Sequence, residues 1–274
     1  TDWYRTMKTD DGGASWTAQY SRSLPDGACE SRGLNVTTTY GVHFDPFDAQ
    51  HIAVSYTDIA YWHTFDSGRT WRRSSVGIPH QWQNTCYWVQ FDPDQKDKLW
   101  SAWGGYHDLP KLKMTRLEGW RQRAAGGVAT SLDGGRTWRV TADGLPDMAP
   151  TTCVLMDPSS HVGNRTLYAA VYGTGVYKSV DDGSSWELKI DGVTQQAPNA
   201  WELLYGADGV LYLVVAFDVL VDDGGNRTLQ DGALYRSIDG AESWQPVSLP
   251  EQVRFPNSLA TDPCDGRRLY LSLW

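Results

Sequence analysis

The sequence predicts an all-β protein built from five repeated units, and three observations carry this prediction. An eight-residue motif, [ST]-x-D-x-[GA]-x-[ST]-W, occurs five times along the 274 residues. An Asp-Pro turn between two short apolar runs recurs in register with that motif. The runs are rich in β-branched and aromatic residues and are bounded by turn residues, which is typical of β-strands. A period of this kind indicates a repeat architecture.

The first recurring element, which we call the box, has a physical role at each position. An Asp followed two residues later by Gly suits a tight hairpin, because the carboxylate accepts backbone N–H bonds and Gly tolerates positive φ. The closing Trp offers the hairpin a large apolar anchor. We therefore expect all five box tryptophans to be buried. They are Trp16, Trp71, Trp138, Trp186 and Trp244.

The second recurring element sets the order of the strands. Asp-Pro turns occur at residues 44–46, 91–93, 156–158 and 261–263, and Ala207-Asp208-Gly209 takes their place in the fourth repeat. Each unit then reads as strand A, Asp-Pro turn, strand B, loop, strand C, box and strand D. Four antiparallel strands in this order form one blade of a β-propeller.

The box resembles the Asp-box, or BNR, repeat of sialidases, xyloglucan-degrading glycoside hydrolases and sortilin-type receptors. The resemblance covers nearly the whole chain. It implies a β-propeller in which each box lies on the turn between the two outer strands of a blade, away from the binding face. It identifies function only weakly, since enzymes and binding proteins share the box.

The spacing of the boxes locates the insertions. Successive box Asp residues are 55, 67, 48 and 58 residues apart, whereas a blade needs roughly 40–50. The surplus lies mostly in the loops at 104–127 and 217–232, both between strands B and C. Long loops on a rigid scaffold often bind ligands.

We predict a single propeller domain over residues 1–274. Alignment of the strand B segments places both chain ends inside a blade, which leaves two architectures open. The chain is part of a larger propeller of six to eight blades, the arrangement we favour, or a five-bladed ring whose ends share a blade.

Composition limits the partners. The net charge of −9 and the lack of a basic stripe argue against nucleic acid, and no apolar run reaches membrane-spanning length. Fourteen Trp and fourteen Tyr leave aromatic faces that stack on sugar rings, so we predict a carbohydrate partner. Four widely spaced Cys lack a metal or redox pattern, and we expect no metal or cofactor.

The start of the chain bears on its location. It begins at Thr1 without Met, and we predict a processed chain in a secreted or periplasmic location. The oligomeric state stays open.

The predicted site lies at the mouth of the central channel, where D-to-A and B-to-C connections converge. Glycoside hydrolysis needs two carboxylates that flank the scissile bond, and this face offers several. The side chains predicted to bind substrate are Arg5, Tyr61, Trp82, Asn84, Tyr106, Tyr172, Trp201, Glu202 and Asn257.

Two segments carry the predicted catalytic aspartates. Thr1-Asp2 and Thr57-Asp58 are similar to the Thr-Asp-Val-Gly-Gly segment of xyloglucanases, although both glycines are missing here. The resemblance implies a catalytic role for Asp2 and Asp58. The alternative is that each Asp caps its loop by accepting backbone N–H bonds.

The longest loop adds His107 and Asp108 as catalytic candidates, since a His beside an Asp supplies acid–base chemistry near neutral pH. A surface His without function is the alternative. The basic run at 111–123 suits either an acidic sugar or a solvated lid. Asp218, Asp222, Asp223 and Asn226 form an acidic cluster, but their spacing fits no EF-hand.

Two functions follow from these observations. The favoured one is a glycoside hydrolase that cleaves a polysaccharide or oligosaccharide with paired carboxylates on the channel face. The other is a non-catalytic propeller that binds glycan or protein. A sialidase is not predicted, because Val253-Arg254-Phe255-Pro256 only partly matches the Phe/Tyr-Arg-Ile-Pro segment of that family.

Overall fold

The computed structural model describes residues 7–18, 21–31, 37–115, 119–141, 143–195, 197–206, 208–221 and 224–273. Two predicted site residues, Asp2 and Arg5, lie outside these ranges, as do Asp222 and Asp223. Within them the chain is nearly all β. The helical segments are one short helix, α1 (Leu112–Thr115), and the 3-10 turns His80–Trp82 and Arg121–Arg123. No helix in the described ranges has the length and apolarity to cross a membrane.

The strands follow the predicted order along the chain. The first four strands are β1 (Met7–Lys8), β2 (Thr17–Ala18), β3 (Ser21–Ser23) and β4 (Cys29–Ser31). Blade 1 contains β5 (Thr39–Phe44), β6 (Ile52–Tyr56), β7 (Tyr61–Thr64) and β8 (Thr70–Arg73). Blade 2 contains β9 (Thr85–Phe91), β10 (Leu99–Gly104), β11 (Gly126–Ser131) and β12 (Arg139–Val140).

The second half repeats this pattern. Blade 3 contains β13 (Thr151–Met156), β14 (Leu167–Val171), β15 (Gly175–Ser179) and β16 (Glu187–Leu188). Blade 4 contains β17 (Asn199–Tyr205) and β18 (Leu211–Ala216), then a hairpin insertion of β19 (Asp218–Val221) and β20 (Arg227–Gln230), and then β21 (Ala233–Ser237) and β22 (Gln245–Val247). The last pair is β23 (Pro256–Thr261) and β24 (Leu269–Leu273).

The sheets radiate from a common centre. Each blade is antiparallel with strand A innermost, and β3 and β4 extend blade 1 to the order β3-β4-β8-β7-β6-β5. The A strands of successive sheets contact one another along the series β5, β9, β13, β17, β23. All five line one central cavity. The predicted all-β propeller of four-stranded antiparallel blades is confirmed.

Every box forms the same hydrogen-bonded turn. In the third box the Ser131 hydroxyl donates to Asp133 Oδ1 (2.8 Å) and accepts from the Gly135 N–H (2.8 Å). Asp133 also accepts the Thr137 N–H (2.9 Å) and hydroxyl (2.6 Å). The other four boxes repeat these four bonds. The motif is therefore a self-contained turn that closes strand C onto strand D.

The box tryptophans also join neighbouring blades through an arrangement we call the blade clip. The backbone N–H of the Trp donates to a backbone carbonyl just after strand D of the preceding blade, and a Gly follows the residue that carries this carbonyl. The bonded pairs are Trp138 with Val76 (2.8 Å), Trp186 with Asp143 (2.9 Å) and Trp244 with Asp191 (2.8 Å). The Gly lets the two backbones touch. A Cβ atom at Gly144 would lie 2.0 Å from the Trp186 carbonyl oxygen.

The box tryptophans that form a blade clip are the ones that are buried. Trp138, Trp186 and Trp244 are buried and Trp71 is half-buried, whereas Trp16 is 58% exposed. The expectation that all five are buried is wrong for Trp16 and met only in part at Trp71. Its hairpin, β1 with β2, forms a separate two-stranded sheet, and the described residues supply it with no clip to a preceding blade.

Buried charges join blades 2 and 3 on the face that carries the boxes. The Arg165 side chain is 1% exposed and donates to both oxygens of Asp92, from Nε at 3.0 Å and Nη2 at 2.6 Å. Lys98 pairs with Asp182 of the blade 3 box. Because loss of one partner leaves a buried charge uncompensated, these pairs hold this face in one arrangement.

Replacement of Trp138 by Ala should lower the free energy of unfolding by about 3–5 kcal/mol, because a large core side chain is lost. Trp16→Ala is the matched control, and we expect a loss of at most about 0.5 kcal/mol at that exposed position. Urea denaturation followed by circular dichroism measures both. Equal losses would contradict the different roles of the two boxes.

Gly144→Ala tests the blade clip. Both Gly144 and Gly163 have φ of +83°, but a Cβ at Gly163 would meet nothing nearer than 3.9 Å. We expect Gly163→Ala to cost about 1–2 kcal/mol from backbone conformation alone. Gly144→Ala should cost about 3–5 kcal/mol, because the methyl group also overlaps the Trp186 carbonyl. Similar urea midpoints for the two variants would show that the close approach is not needed.

Candidate functional site

Each innermost strand carries a β-bulge at the same place. On β17, Ala200 pairs with Val215 and Glu202 pairs with Val214, so Trp201 is one extra residue. The other four A strands show the same shift. The five bulged residues, which we call the bulge ring, are Tyr40, Tyr87, Thr152, Trp201 and Asn257. A bulge re-aims a side chain, and all five line one cavity of about 260 Å³.

Three aromatic members of the ring contact one another. The ring centroids of Tyr40 and Tyr87 are 4.8 Å apart, and the Trp201 centroid lies 6.1 Å and 5.9 Å from them. The Thr152 hydroxyl donates to the Trp201 carbonyl (2.7 Å) and so holds the bulge of the next blade. Asn257 Oδ1 is buried and has no hydrogen-bond partner within the described chain.

Sequence reasoning placed Trp201 and Asn257 at the channel but missed the other three members. A signal for them exists. In four repeats the bulged residue stands five positions before the Asp of the Asp-Pro turn, as in Tyr40 before Asp45 and Thr152 before Asp157. The bulge itself depends on pairing with strand B, which the sequence does not display.

Glu202 brings a carboxyl group into the cavity. It follows the bulged Trp201 and lines the cavity wall. Its Oε2 accepts the Leu259 N–H (3.0 Å) and its Oε1 accepts the Ser258 hydroxyl (3.2 Å), both from β23. Burial raises the pKa of Glu202 to about 7, although these two donors favour the ionised form. Near neutral pH this group therefore holds a transferable proton.

The predicted residues Asp58, His107 and Asp108 come together at the rim of the cavity. His107 Nδ1 lies 3.6 Å from Asp58 Oδ1 and 3.5 Å from Asp108 Oδ2. The Thr37 hydroxyl donates to Asp58 Oδ2 (3.1 Å). Asp58 and Asp108 both have positive φ, 61° and 56°. Such conformations are uncommon outside Gly and are frequent at functional sites.

The two rim carboxylates differ in their surroundings. Asp108 is contacted by the ammonium groups of Lys111 (3.1 Å) and Lys113 (2.9 Å). Burial alone raises the pKa of Asp108, but the hydrogen bonds from these lysines lower it further than burial raises it. The Asp58 side chain is 32% exposed. It adjoins the cavity, because the Thr57 N–H donates to the carbonyl of Thr38, which lines the cavity.

Two predicted binding residues do not reach the cavity. Tyr61 is fully buried between blades 1 and 2, where its ring packs edge-on against Trp138 with centroids 5.0 Å apart. Trp82 is also buried, in a core cluster with Trp103. Both residues were predicted to bind substrate because they adjoin the loops at the channel mouth. Their side chains instead pack between neighbouring blades, where they stabilise the fold and do not line the cavity.

The remaining predicted residues surround the cavity without lining it. Asn84 is half-buried and accepts a hydrogen bond from the Thr85 hydroxyl (2.8 Å). Tyr106 stacks on Trp120 and donates to the Met114 carbonyl (2.9 Å). Tyr172 is buried, and its ring packs edge-on against Trp201, with centroids 6.4 Å apart.

The two insertions, the 104–127 loop and the hairpin of blade 4, contact each other next to the cavity, at the B-to-C turn of blade 3. Helix α1 of the 104–127 loop contacts β19 of the blade 4 hairpin. Arg121 Nη2 donates to Asp218 Oδ2 (2.8 Å) and to Asn199 Oδ1 (3.2 Å). The Asp218 carboxylate is thus engaged by a guanidinium. No cluster of three or more His, Cys, Asp or Glu suited to a metal ion occurs in the described part of the chain.

The raised pKa of Glu202 predicts a pH-dependent stability difference. A carboxyl whose folded pKa is raised stabilises the fold fully below its unfolded pKa of 4.5 and loses that contribution as pH rises through about 7. Glu202→Gln, which never ionises, should therefore be more stable than the wild type above pH 7, by up to about 3 kcal/mol. The difference should vanish below pH 4.5. Urea denaturation across this range checks it, and a constant difference would contradict the raised pKa.

Comparison with known proteins supports the fold. No family model and no curated protein matches the chain. The GH74 enzyme of Niastella koreensis aligns with 85% of this chain and 33% of its own, at 20% identity and a TM-score of 0.61. The GH74 xyloglucanase of Xanthomonas campestris aligns with 86% of this chain and 37% of its own, at 18% identity and 0.55. YCF48 bound to D1 peptide aligns over 92% and 63%, at 14% and 0.55. The chain thus spans about a third of the GH74 chains and shares with these structures the propeller fold.

Proposed function

We propose that the chain is a single propeller domain that hydrolyses a glycosidic bond of a polysaccharide or oligosaccharide. The observation that carries the proposal is a protonatable Glu202 in an aromatic-lined cavity whose rim holds carboxylates in a different environment. Glycosidases pair a carboxyl of raised pKa, which donates a proton, with a carboxylate that stays ionised. The likeness to GH74 enzymes agrees with this chemistry.

Glu202 is the general acid in this proposal. Its carboxyl donates its proton to the glycosidic oxygen as the bond to the leaving sugar breaks. Its pKa of about 7 keeps a large protonated fraction at neutral pH, which is the condition for acid catalysis there.

Asp58 is the second carboxylate. Two lysine ammonium groups occupy Asp108, which suits Asp108 to anchor the loop, whereas Asp58 is more open. Asp58 attacks the anomeric carbon directly or takes a proton from the attacking water. His107 Nδ1 lies between the two carboxylates, 3.6 Å from Asp58 Oδ1, and the Thr37 hydroxyl restrains Asp58 through Oδ2.

The substrate stacks on the two partly exposed aromatic members of the bulge ring. Sugar rings present an apolar face that packs on Tyr and Trp, and Tyr40 and Trp201 provide such a surface at the cavity. The buried Tyr87 ring packs against both and supports them from the core. Carbohydrate is therefore the proposed partner. Because extracellular polysaccharide is met outside the cytoplasm, the proposal includes a secreted or periplasmic location.

One observation favours a second candidate, a binding propeller without catalysis. The chain shares its propeller fold with YCF48 bound to D1 peptide as closely as with the GH74 xyloglucanase, at a TM-score of 0.55 in both cases. In that case the same cavity binds a glycan or peptide and releases it unchanged.

Turnover separates the two candidates. We expect the protein to release reducing ends from at least one of xyloglucan, mixed-linkage glucan, xylan and mannan, with a rate that falls as pH rises through about 7. Glu202→Gln and Asp58→Asn should each lower kcat by about 100-fold or more, the usual size of an acid–base contribution. Glu251→Gln, at an exposed position, is the control.

The outcomes are decisive in both directions. A loss of less than about tenfold in either variant would remove that residue from the catalytic pair, because it lies below the usual acid–base contribution. Binding of a polysaccharide or peptide with no product over the whole panel would favour the non-catalytic candidate.

A further inference from the structure

We infer that the bulge ring selects the sugar that the cavity accepts, and that Asn257 is its specificity-determining polar residue. The inference rests on the proposed function for the class of ligand, a sugar, but not on catalysis. It concerns which sugar binds, which neither the fold nor the paired carboxylates determine.

The β-bulge of the innermost strand is repeated in all five sheets. One extra residue in each of the five A strands, from Tyr40 on β5 to Asn257 on β23, stands out of the pairing with strand B. Regular alternation along a strand would send neighbouring side chains to opposite faces. The bulge breaks this alternation and turns one side chain per blade toward the same cavity. The ring members are therefore the positions where a ligand meets the protein.

The bulge ring has an aromatic part and a polar part. Tyr40 and Trp201 form an aromatic surface at the cavity, and the buried Tyr87 ring packs beneath both. The Thr152 hydroxyl is occupied by the Trp201 carbonyl, and the Tyr87 hydroxyl donates to the Tyr106 carbonyl (2.6 Å). The aromatic surface accepts any sugar with a flat apolar face, so it discriminates little between sugars.

Asn257 carries a hydrogen-bond acceptor that is available to a ligand. Its Oδ1 is a buried acceptor for which the described residues supply no donor, and buried polar groups are normally hydrogen-bonded. Because Asn257 lines the cavity, rotation of its amide group brings Oδ1 within reach of a sugar hydroxyl, which completes this bond. A sugar that lacks a hydroxyl in that direction leaves the acceptor unpaired, and sites built to hydrogen-bond a hydroxyl strongly reject analogues without it.

Asn257 and Glu202 are linked through Ser258. Ser258 follows Asn257 on β23 and donates to Glu202, which follows Trp201 on β17. The acceptor and the acid therefore lie at one corner of the cavity, where two neighbouring bulges face each other. A sugar stacked on Trp201 presents its glycosidic oxygen to Glu202 and one ring hydroxyl to Asn257. The stereochemistry at that carbon decides the fit.

The experiment compares probes that differ at one position of each sugar unit. The probes are cellotetraose and mannotetraose, which are epimers at C2 of each residue, and xylotetraose, which lacks the hydroxymethyl group. Isothermal titration of the intact chain gives each Kd and hence the preference ratio between the best and the poorest probe. Asn257→Leu replaces the amide with an apolar group of similar size, and exposed Asn164→Leu is its control. Trp201→Leu, with exposed Trp16→Leu as its control, tests the stacking surface.

The expected pattern separates selection from general binding. Asn257→Leu should weaken the best probe by about tenfold or more, equivalent to one buried hydrogen bond, and shrink the preference ratio. Trp201→Leu should weaken all three probes by similar factors and leave the ratio unchanged. The controls should stay within about twofold. If thermal unfolding shows that Asn257→Leu does not fold, Asn257→Ala makes the same test.

The contrary results are equally clear. A preference ratio unchanged by Asn257→Leu, or no binding of any probe to the wild type, would overturn the inference. Binding that follows the expected pattern without cleavage would overturn the proposed hydrolysis and leave the inference standing. Cleavage with an unchanged ratio in Asn257→Leu would do the reverse.

Discussion

The blade clip is the interaction on which the rest of this structure depends. A hydrogen bond from a box Trp to the preceding blade, beside a Gly that allows backbone contact, occurs at Trp138, Trp186 and Trp244. The turn inside each box is complete by itself and says nothing about the next blade. The clip connects the two. It joins blades 1 and 2, blades 2 and 3, and blades 3 and 4 beside their outer strands, and so fixes how these four sheets pack side by side.

Contacts between neighbouring sheets also determine the chemistry of the site. Glu202 belongs to blade 4, yet both donors to its carboxylate come from β23 in the following sheet. Thr152 of blade 3 likewise holds the bulge of blade 4. Glu202 and the bulge at Trp201 are therefore positioned by the sheets on either side of their own. The acidity of Glu202 therefore depends on packing between sheets as well as on the strand that carries it.

The sequence alone was enough to predict structure formed within one repeat, but not contacts between blades or between paired strands. The boxes and Asp-Pro turns are local, and they predicted the blades and the order of their strands. Trp16 was misjudged because its burial needs a neighbouring blade. Tyr61 and Trp82 were assigned to the channel because they adjoin top-face loops, but their side chains face the seam between blades. Tyr40, Tyr87 and Thr152 were missed because a bulge exists only in the pairing of two strands.

The bulges also have a consequence for how this protein changes over time. A bulged residue has no partner in the cross-strand ladder, so its replacement leaves the hydrogen bonds of the sheet intact. Clip residues such as Gly144 lack this freedom, since backbone contacts constrain them directly. Thr152 and Tyr87 are also constrained, because their hydroxyls bind backbone carbonyls, so the ring positions most open to substitution are Tyr40, Trp201 and Asn257. Such a scaffold can acquire a new ligand by a few substitutions in one ring while its architecture is inherited unchanged.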